Sequence, residues 1–244
     1  MRIALLSDIH GNLPALEAVA ADIRRRGADR IVCLGDLVSG PLLPLETAQY
    51  LMAEGWFTLA GNHERQVLDD SVERGLSDAY AHSQLGERES AWLRTLGHRA
   101  RLTDEVFLCH GTPRSDVESF LETVENNAPR LASAQEIAAR LGGEASPVIA
   151  CGHTHFARSV RSPSGQLIVN PGSVGHPAYT DDNPMPHAIQ TGSPDARYAI
   201  IERTPGGWIA RLMSVPYDYR PMAALARARK RPEWERALLT GYVI

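Results

Sequence analysis

Five short polar motifs carry the residue types that could do chemistry: Asp8-Ile9-His10, Gly35-Asp36, Gly61-Asn62-His63-Glu64, His110-Gly111 and Gly152-His153-Thr154-His155. Asp8, Asp36, the Asn62 amide, His10, His110, His153 and His155 form a set of oxygen and imidazole donors with no thiolate among them. Such a set suits borderline divalent ions such as Mn, Fe, Zn, Co or Ni. Seven donors exceed the three or four that one catalytic ion takes from a protein, so the count points to two ions sharing a carboxylate. Two ions about 3.5–4 Å apart are a recurring device for in-line displacement at phosphorus. They polarise the phosphate oxygens and bring the pKa of a water towards neutrality. A lone Asp-x-His or Gly-His-x-His is a weak signal. The strength here lies in the number of motifs and in what precedes each one.

Each motif follows a short apolar run. Residues 2–7, 31–34, 56–59, 106–109 and 148–151 lack helical length and read as buried strands. Between them, Leu13, Leu16, Val19, Ala20 and Ile23 keep helical spacing, with Pro14 in the first turn and Gly27 behind. Residues 45–53 before Gly55, an amphipathic stretch at 64–96, and residues 134–141 before Gly142 also read as helices. In open α/β sheets, sites gather beyond the carboxyl ends of the strands, so all five motifs are aimed at one rim. Asp8 and His10 are two apart, as are His153 and His155, and on extended chain each pair faces one way. The glycines before Asp36, Asn62 and His153 permit tight turns and close backbone approach.

Beyond residue 156 the pattern becomes hairpins, at residues 157–169 around Pro163-Ser164-Gly165 and at 198–213 around Pro205-Gly206-Gly207. Residues 175–195, rich in Pro, Asp, Asn and His, read as a long loop, a length usually tied to function or disorder. The last thirty residues read as one or two short helices with Trp234 and Leu238 on one face. This order fits a two-sheet core with helices outside, a single domain over residues 1–244 with 219–240 as an appendage.

A net charge of −4 offers no general attraction for nucleic acid or an anionic membrane. No run of about 18 apolar residues is present to span a bilayer, and the N-terminal apolar run is too short for a signal h-region. Three cysteines, Cys33, Cys109 and Cys151, argue against a disulfide framework and fit a reducing cytoplasm. Each ends an apolar run and reads as a small buried hydrophobe. His82 and His98 read as solvated. His176 and His187, in the long segment, are candidates for substrate contact.

In order, Asp8-Ile9-His10, Gly35-Asp36, Gly61-Asn62-His63-Glu64, His110 and Gly152-His153-Thr154-His155 resemble the motif set of the calcineurin-like metallophosphoesterase family. Asn170-Pro171-Gly172-Ser173-Val174-Gly175 and Val215-Pro216-Tyr217-Asp218 are similar to its small bacterial and archaeal phosphodiesterase branch. The resemblance implies a four-layer α-β-β-α sandwich with mixed sheets. It implies one ion at Asp8, His10 and His155, a second at Asn62, His110 and His153, and Asp36 bridging them. His63 would bind no metal and would face the leaving-group oxygen as general acid or phosphate-binding cation; general-acid help is worth about 10²–10⁴-fold. Glu64 would orient or charge-stabilise His63, with an N-cap or surface role as the other reading. The implied enzyme is a hydrolase of phosphodiesters or phosphomonoesters of small molecules, with manganese among the candidate ions.

Three comparisons bear on this. Protein Ser/Thr phosphatases share Gly-Asn-His-Glu but carry an arginine after Gly-Asp. Here Leu37-Val38-Ser39-Gly40-Pro41 follows, which weakens the protein-phosphatase alternative. An inert scaffold on the same fold predicts gaps in the donor set, and the set is complete. The small branch often continues past Asn-Pro-Gly-Ser-Val-Gly with Gln-Pro-Arg, whereas His176-Pro177-Ala178 and a longer segment follow here. His176 or Tyr179 is the expected substitute for substrate contact.

Overall fold

A computed structural model describes residues 1–71 and 73–243; Val72, inside the predicted helical stretch 64–96, and Ile244 lie outside the described residues. The chain begins β1 (Arg2–Leu6), α1 (Leu13–Arg26), β2 (Arg30–Cys33), α2 (Pro44–Glu54) and β3 (Phe57–Thr58). Three short helices follow, α3 (Asn62–Leu68), α4 (Leu76–Gln84) and α5 (Glu87–Arg94). Then come β4 (Arg99–Thr103), β5 (Val106–Cys109), β6 (Glu122–Glu125), β7 (Ala128–Leu131), α6 (Ala134–Leu141), β8 (Val148–Ala150), β9 (Arg158–Arg161) and β10 (Leu167–Asn170). The rest is β11 (Ala178–Asp181), β12 (His187–Gln190), β13 (Ala196–Thr204), β14 (Gly207–Val215), α7 (Arg220–Ala228) and α8 (Pro232–Thr240).

Local chemistry sets these boundaries. The Asn12 side chain accepts from the Ala15 N–H at the start of α1, and Gly27 stops that helix at φ 77°. Ser133 and Glu136 form a reciprocal cap on α6, and Gly142 ends it in the left-handed region.

Two five-stranded mixed sheets form the centre, in the orders β14-β13-β1-β2-β3 and β4-β5-β8-β10-β9. In each, the middle strands are parallel: β1 with β2 and β2 with β3, β5 with β8 and β8 with β10. Side chains alternate across a strand, and both faces of β1, β5, β8 and β10 are buried. Ile3, Leu5, Val32 and Leu34 meet Val106, Leu108, Val148, Ala150, Leu167 and Val169 between the sheets. Ala4, Leu6 and Cys33 face the other way, onto Leu16, Val19 and Ile23 of α1 and Ala48 and Leu51 of α2. On the far side Phe107, Cys109, Ile149 and Cys151 pack on Ile137 and Leu141 of α6. These layers make the four-layer α-β-β-α sandwich. All three cysteines are free and buried at strand ends. Among the described residues no helix is long and apolar enough to cross a membrane.

Two predicted features differ. Residues 175–195 hold the hairpin β11–β12, with Ala178 paired to Gln190 and Asp181 to His187. Four-residue strands flanking Asp182-Asn183-Pro184-Met185-Pro186 give too short an alternation to read against so many turn residues. The segment 219–240, expected as an appendage, is packed into the body. Met222, Ala223, Ala226, Trp234 and Leu238 form a cluster with Leu42, and Arg229 donates to the carbonyls of Pro41 and Leu42.

Candidate metal centre

The five motifs do meet. Asp8 and His10 follow β1, Asp36 follows β2, and Asn62 opens α3 just past β3. His110 follows β5, while His153 and His155 follow β8. Backbone bonds stitch these loops together: Asp8 N–H to Gly35 O at 3.0 Å, Gly152 N–H to His110 O at 2.7 Å, and Gly175 N–H to Asp8 O at 3.0 Å.

The paired residues do not meet as extended chain, contrary to expectation. Asp8, His10, Asp36, His153 and His155 all lie in the left-handed region, with φ of 56°, 52°, 54°, 69° and 57°. Each such residue costs on the order of 1–3 kcal/mol and persists only where the surroundings impose it. Here the imposed turn swings the side chains off the strand ends into one space. Glycine makes room for it: a Cβ on Gly61 would stand 2.1 Å from Asp36 Oδ1, and one on Gly152 would stand 2.0 Å from Ser7 Oγ.

The donor atoms converge. His10 Nε2 and His155 Nε2 are 3.1 Å apart, and His155 Nε2 is 3.5 Å from Asp8 Oδ1. His153 Nδ1 is 3.1 Å from Asn62 Oδ1, and His110 Nε2 is 3.2 Å from Asp36 Oδ2. Asp36, His110 and His153 have donor atoms within 4.8 Å of one another, and so do Asp8, His10 and Asp36. Asp36 is common to both groups. His10, His110 and His155 each give Nδ1–H to a backbone carbonyl, of Ser39, Leu34 and His176. In a neutral ring that bond fixes the tautomer and puts the lone pair on Nε2, on the side of the cluster. Asp8 Oδ2 and His110 Nε2 are buried without a hydrogen-bond partner. Orphaned polar atoms are rare in protein interiors, and these two point into an oxygen- and nitrogen-lined space that fits a cation.

Charge follows burial and neighbours. Burial pushes His10 and His153 down to about 4 and His155 well below its ordinary value, which favours their neutral form, whereas at His110 burial is outweighed by Asp36, which lifts that ring to about 10. Burial, helped by Asp36, lifts Asp8 to about 7. Burial also opposes the charge on Asp36, but His110 and His63 outweigh it and hold the carboxylate well below its usual range. Two carboxylates this close demand positive charge nearby.

His63 sits beside this cluster. Its Nδ1 is 2.8 Å from Asp78 Oδ1 on α4, and Asp78 also accepts from Ser39 Oγ at 2.7 Å. Burial works against the charged ring, yet Asp36 and the hydrogen bond to Asp78 lift His63 to about 9. Glu64, expected either as the partner of His63 or as an N-cap, takes the second role. Its carboxylate is fully buried and accepts from the N–H groups of Asp36, Leu37 and Gly61, each at 2.8 Å. Neighbouring residues on a helix point in different directions, so Glu64 faces inward while His63 faces the site. Glu64 thus caps α3 and ties it to the Asp36 loop. Spacing signalled this, since Gly61 to Glu64 is the N-cap to N3 interval. No sequence signal marked Asp78.

His176 is buried and stacks on Trp234 of α8, with ring centroids 3.7 Å apart at 1°. His187 bonds Met185 O. His82 bonds Val67 O. A cavity of about 1070 Å³ opens at the cluster and is lined by His63, Tyr179, Trp234, Val124, Pro129 and His187 among others. The hairpins β6–β7 and β11–β12, which both line it, meet at their tips: Asn127 Nδ2 donates to Pro186 O at 2.7 Å.

A sequence model of the calcineurin-like phosphoesterase superfamily domain matches residues 1–190. The structure is similar to that of a metallophosphoesterase from Sphaerobacter thermophilus, 25% identical, with a TM-score of 0.75 over 99% of each chain. It is also similar to a hypothetical protein from Pyrococcus horikoshii, 18% identical, TM-score 0.74, over 98% of each chain, a likeness of fold. An uncharacterized protein of Methanocaldococcus jannaschii is 44% identical over 66 residues, which are 27% of this chain and 27% of that protein.

Proposed function

The chain belongs to the calcineurin-like phosphoesterase superfamily, and from that premise we propose that it hydrolyses phosphodiesters or phosphomonoesters of small molecules, using two divalent cations and His63 as proton donor. The observation that carries this reading is the pair of donor groups sharing Asp36, with His63 beside them. Asp8, His10 and His155 would hold one ion and Asn62, His110 and His153 the other, with Asp36 bridging. When bound, a cation pair supplies Lewis-acid charge to the phosphoryl oxygens and acidity to the attacking water. Its identity among Mn, Fe, Zn, Co and Ni depends on supply as well as on donors.

The chain's own residues do the rest. The Nδ1 of His63 is taken by Asp78, so Nε2 is the nitrogen free to give a proton to the departing oxygen. Asp78 keeps the ring in one orientation and favours its charged form. Glu64 holds the Asp36 loop against α3, which fixes where the bridging carboxylate stands. The hairpin contact at Asn127 bounds the cavity, and its size suits a small ester. That boundary, with the missing arginine after Asp36, ranks a folded phosphoprotein substrate lower.

The test is a panel of bis-aryl phosphodiesters, aryl phosphomonoesters, cyclic nucleotides, dinucleotides and phosphopeptides assayed with Mn²⁺. Turnover of the small esters above the phosphopeptides is expected. No turnover of any ester, or a preference for phosphopeptides, would overturn the reading.

A further inference from the structure

With His63 set aside as the proton donor, the cluster contains one imidazole more than the two ligand sets use. We infer that His176 is a further ligand to the ion held by Asp8, His10 and His155, kept in place by its stack on Trp234. The inference rests on the dinuclear reading above and extends it.

Three observations carry it. Donor atoms of His10, His155 and His176 lie within 4.8 Å of one another, the same closeness found in the two groups that share Asp36. Ring centroids of His176 stand 5.4 Å from His10 and 5.7 Å from His155. His110 and His153, assigned to a single ion, are 5.5 Å apart. The hydrogen bonds of His176 found among the described residues are those of its backbone, and its side chain, 8% exposed, lines the cavity. Its backbone, in contrast, is fully engaged: the carbonyl accepts from His155 Nδ1 at 2.6 Å, and the N–H donates to Ser173 Oγ at 2.8 Å. The residue is therefore woven into the donor shell by its main chain, while its side chain stands beside two other imidazoles.

Trp234 supplies the rigidity. An indole parallel to the ring at 3.7 Å leaves His176 little freedom to rotate. Trp234 is itself held, 4% exposed, in the cluster with Leu42 and Leu238. In this way α8 reaches the centre through one stacked pair. The consequence is asymmetry. The first site would have three imidazoles and the second two, so the first leans towards nitrogen-preferring ions such as Zn, Ni or Co.

The test reads metal binding rather than turnover. His176→Gln places there the residue that the small branch often carries, which favours a folded variant. Binding of Co²⁺ is measured by competition with a chelator, alongside the visible spectrum. Two ions of unequal affinity are expected in the unmodified protein. In the variant, the affinity of one is expected to fall at least about tenfold, with a changed Co²⁺ band. Unchanged affinity and spectrum for both ions would overturn the inference and leave the dinuclear reading standing. A protein that binds no ion would overturn both. X-ray absorption on the unmodified chain loaded with both ions needs no variant: five imidazole rings shared between the two ions support the assignment, and four refute it.

Discussion

Asp78→Asn isolates what one carboxylate does for His63. The amide is nearly isosteric and its oxygen still accepts at 2.8 Å, so the orientation of the ring survives while the charge is lost. Hydrogen bonds to charged groups are worth about 1.5–3 kcal/mol and neutral ones about 0.5–1.5. The imidazolium therefore loses about 1–1.5 kcal/mol of stabilisation, or about one pKa unit. The sign follows from the direction of the shift. His63 lies above its ordinary value, at about 9 among the protein groups alone, and its acid form is present below that pKa and lost above it. Bound cations lower the starting point, but the displacement between the two proteins remains. The assay is the pH profile of kcat on an aryl phosphodiester with Mn²⁺ loaded. The alkaline limb moves down by about one unit, so the variant is about tenfold slower well above both values and unchanged below them. An unmoved limb, or a loss equal at every pH, would refute the reasoning, because the second pattern reports only displaced structure.

Three other perturbations separate the roles of neighbouring residues. His63→Ala keeps both ions, seen by metal analysis, while kcat falls by about 10²–10⁴-fold; loss of an ion would show that His63 is a ligand. Gly61→Ala drives a methyl to 2.1 Å from Asp36 Oδ1. A displacement of about 1 Å at such a site costs roughly 100-fold in rate, read against unchanged far-UV circular dichroism. Glu64→Gln turns an amide N–H₂ towards N–H donors that now meet a carboxylate. One buried mismatch costs about 1–3 kcal/mol, and thermal unfolding should come about 2–10 °C earlier; an unchanged Tm would contradict the capping role.

What sequence made legible is the part of the site built at strand ends. The apolar runs at 106–109 and 148–151 end where their strands end or one residue beyond, so the motifs that follow them are fixed in space by strand geometry. Three things escaped for physical reasons. Asp78 reaches His63 only because α4 packs on α3, a contact between residues fifteen apart that no local pattern encodes. The left-handed backbone at Asp8 and His10 comes from bonds to the Gly35–Leu37 loop, which is tertiary. The stack of Trp234 on His176 joins two distant segments, so an amphipathic reading of α8 showed a buried face without showing what it covers.

The donors are divided between the two sheets. Asp8, His10, Asp36 and Asn62 follow strands of one, and His110, His153 and His155 follow strands of the other. Each proposed ion therefore takes ligands from both, and acts as a cross-brace over the seam where the sheets pack. A ligand that binds only the folded state adds about 2.7 kcal/mol at a hundredfold excess over its dissociation constant, and here that energy resists the sliding or parting of the layers. The supply of metal around the protein would then set how tightly the sandwich is held shut, and starvation for the ion would loosen the architecture at the same moment that it silences the chemistry.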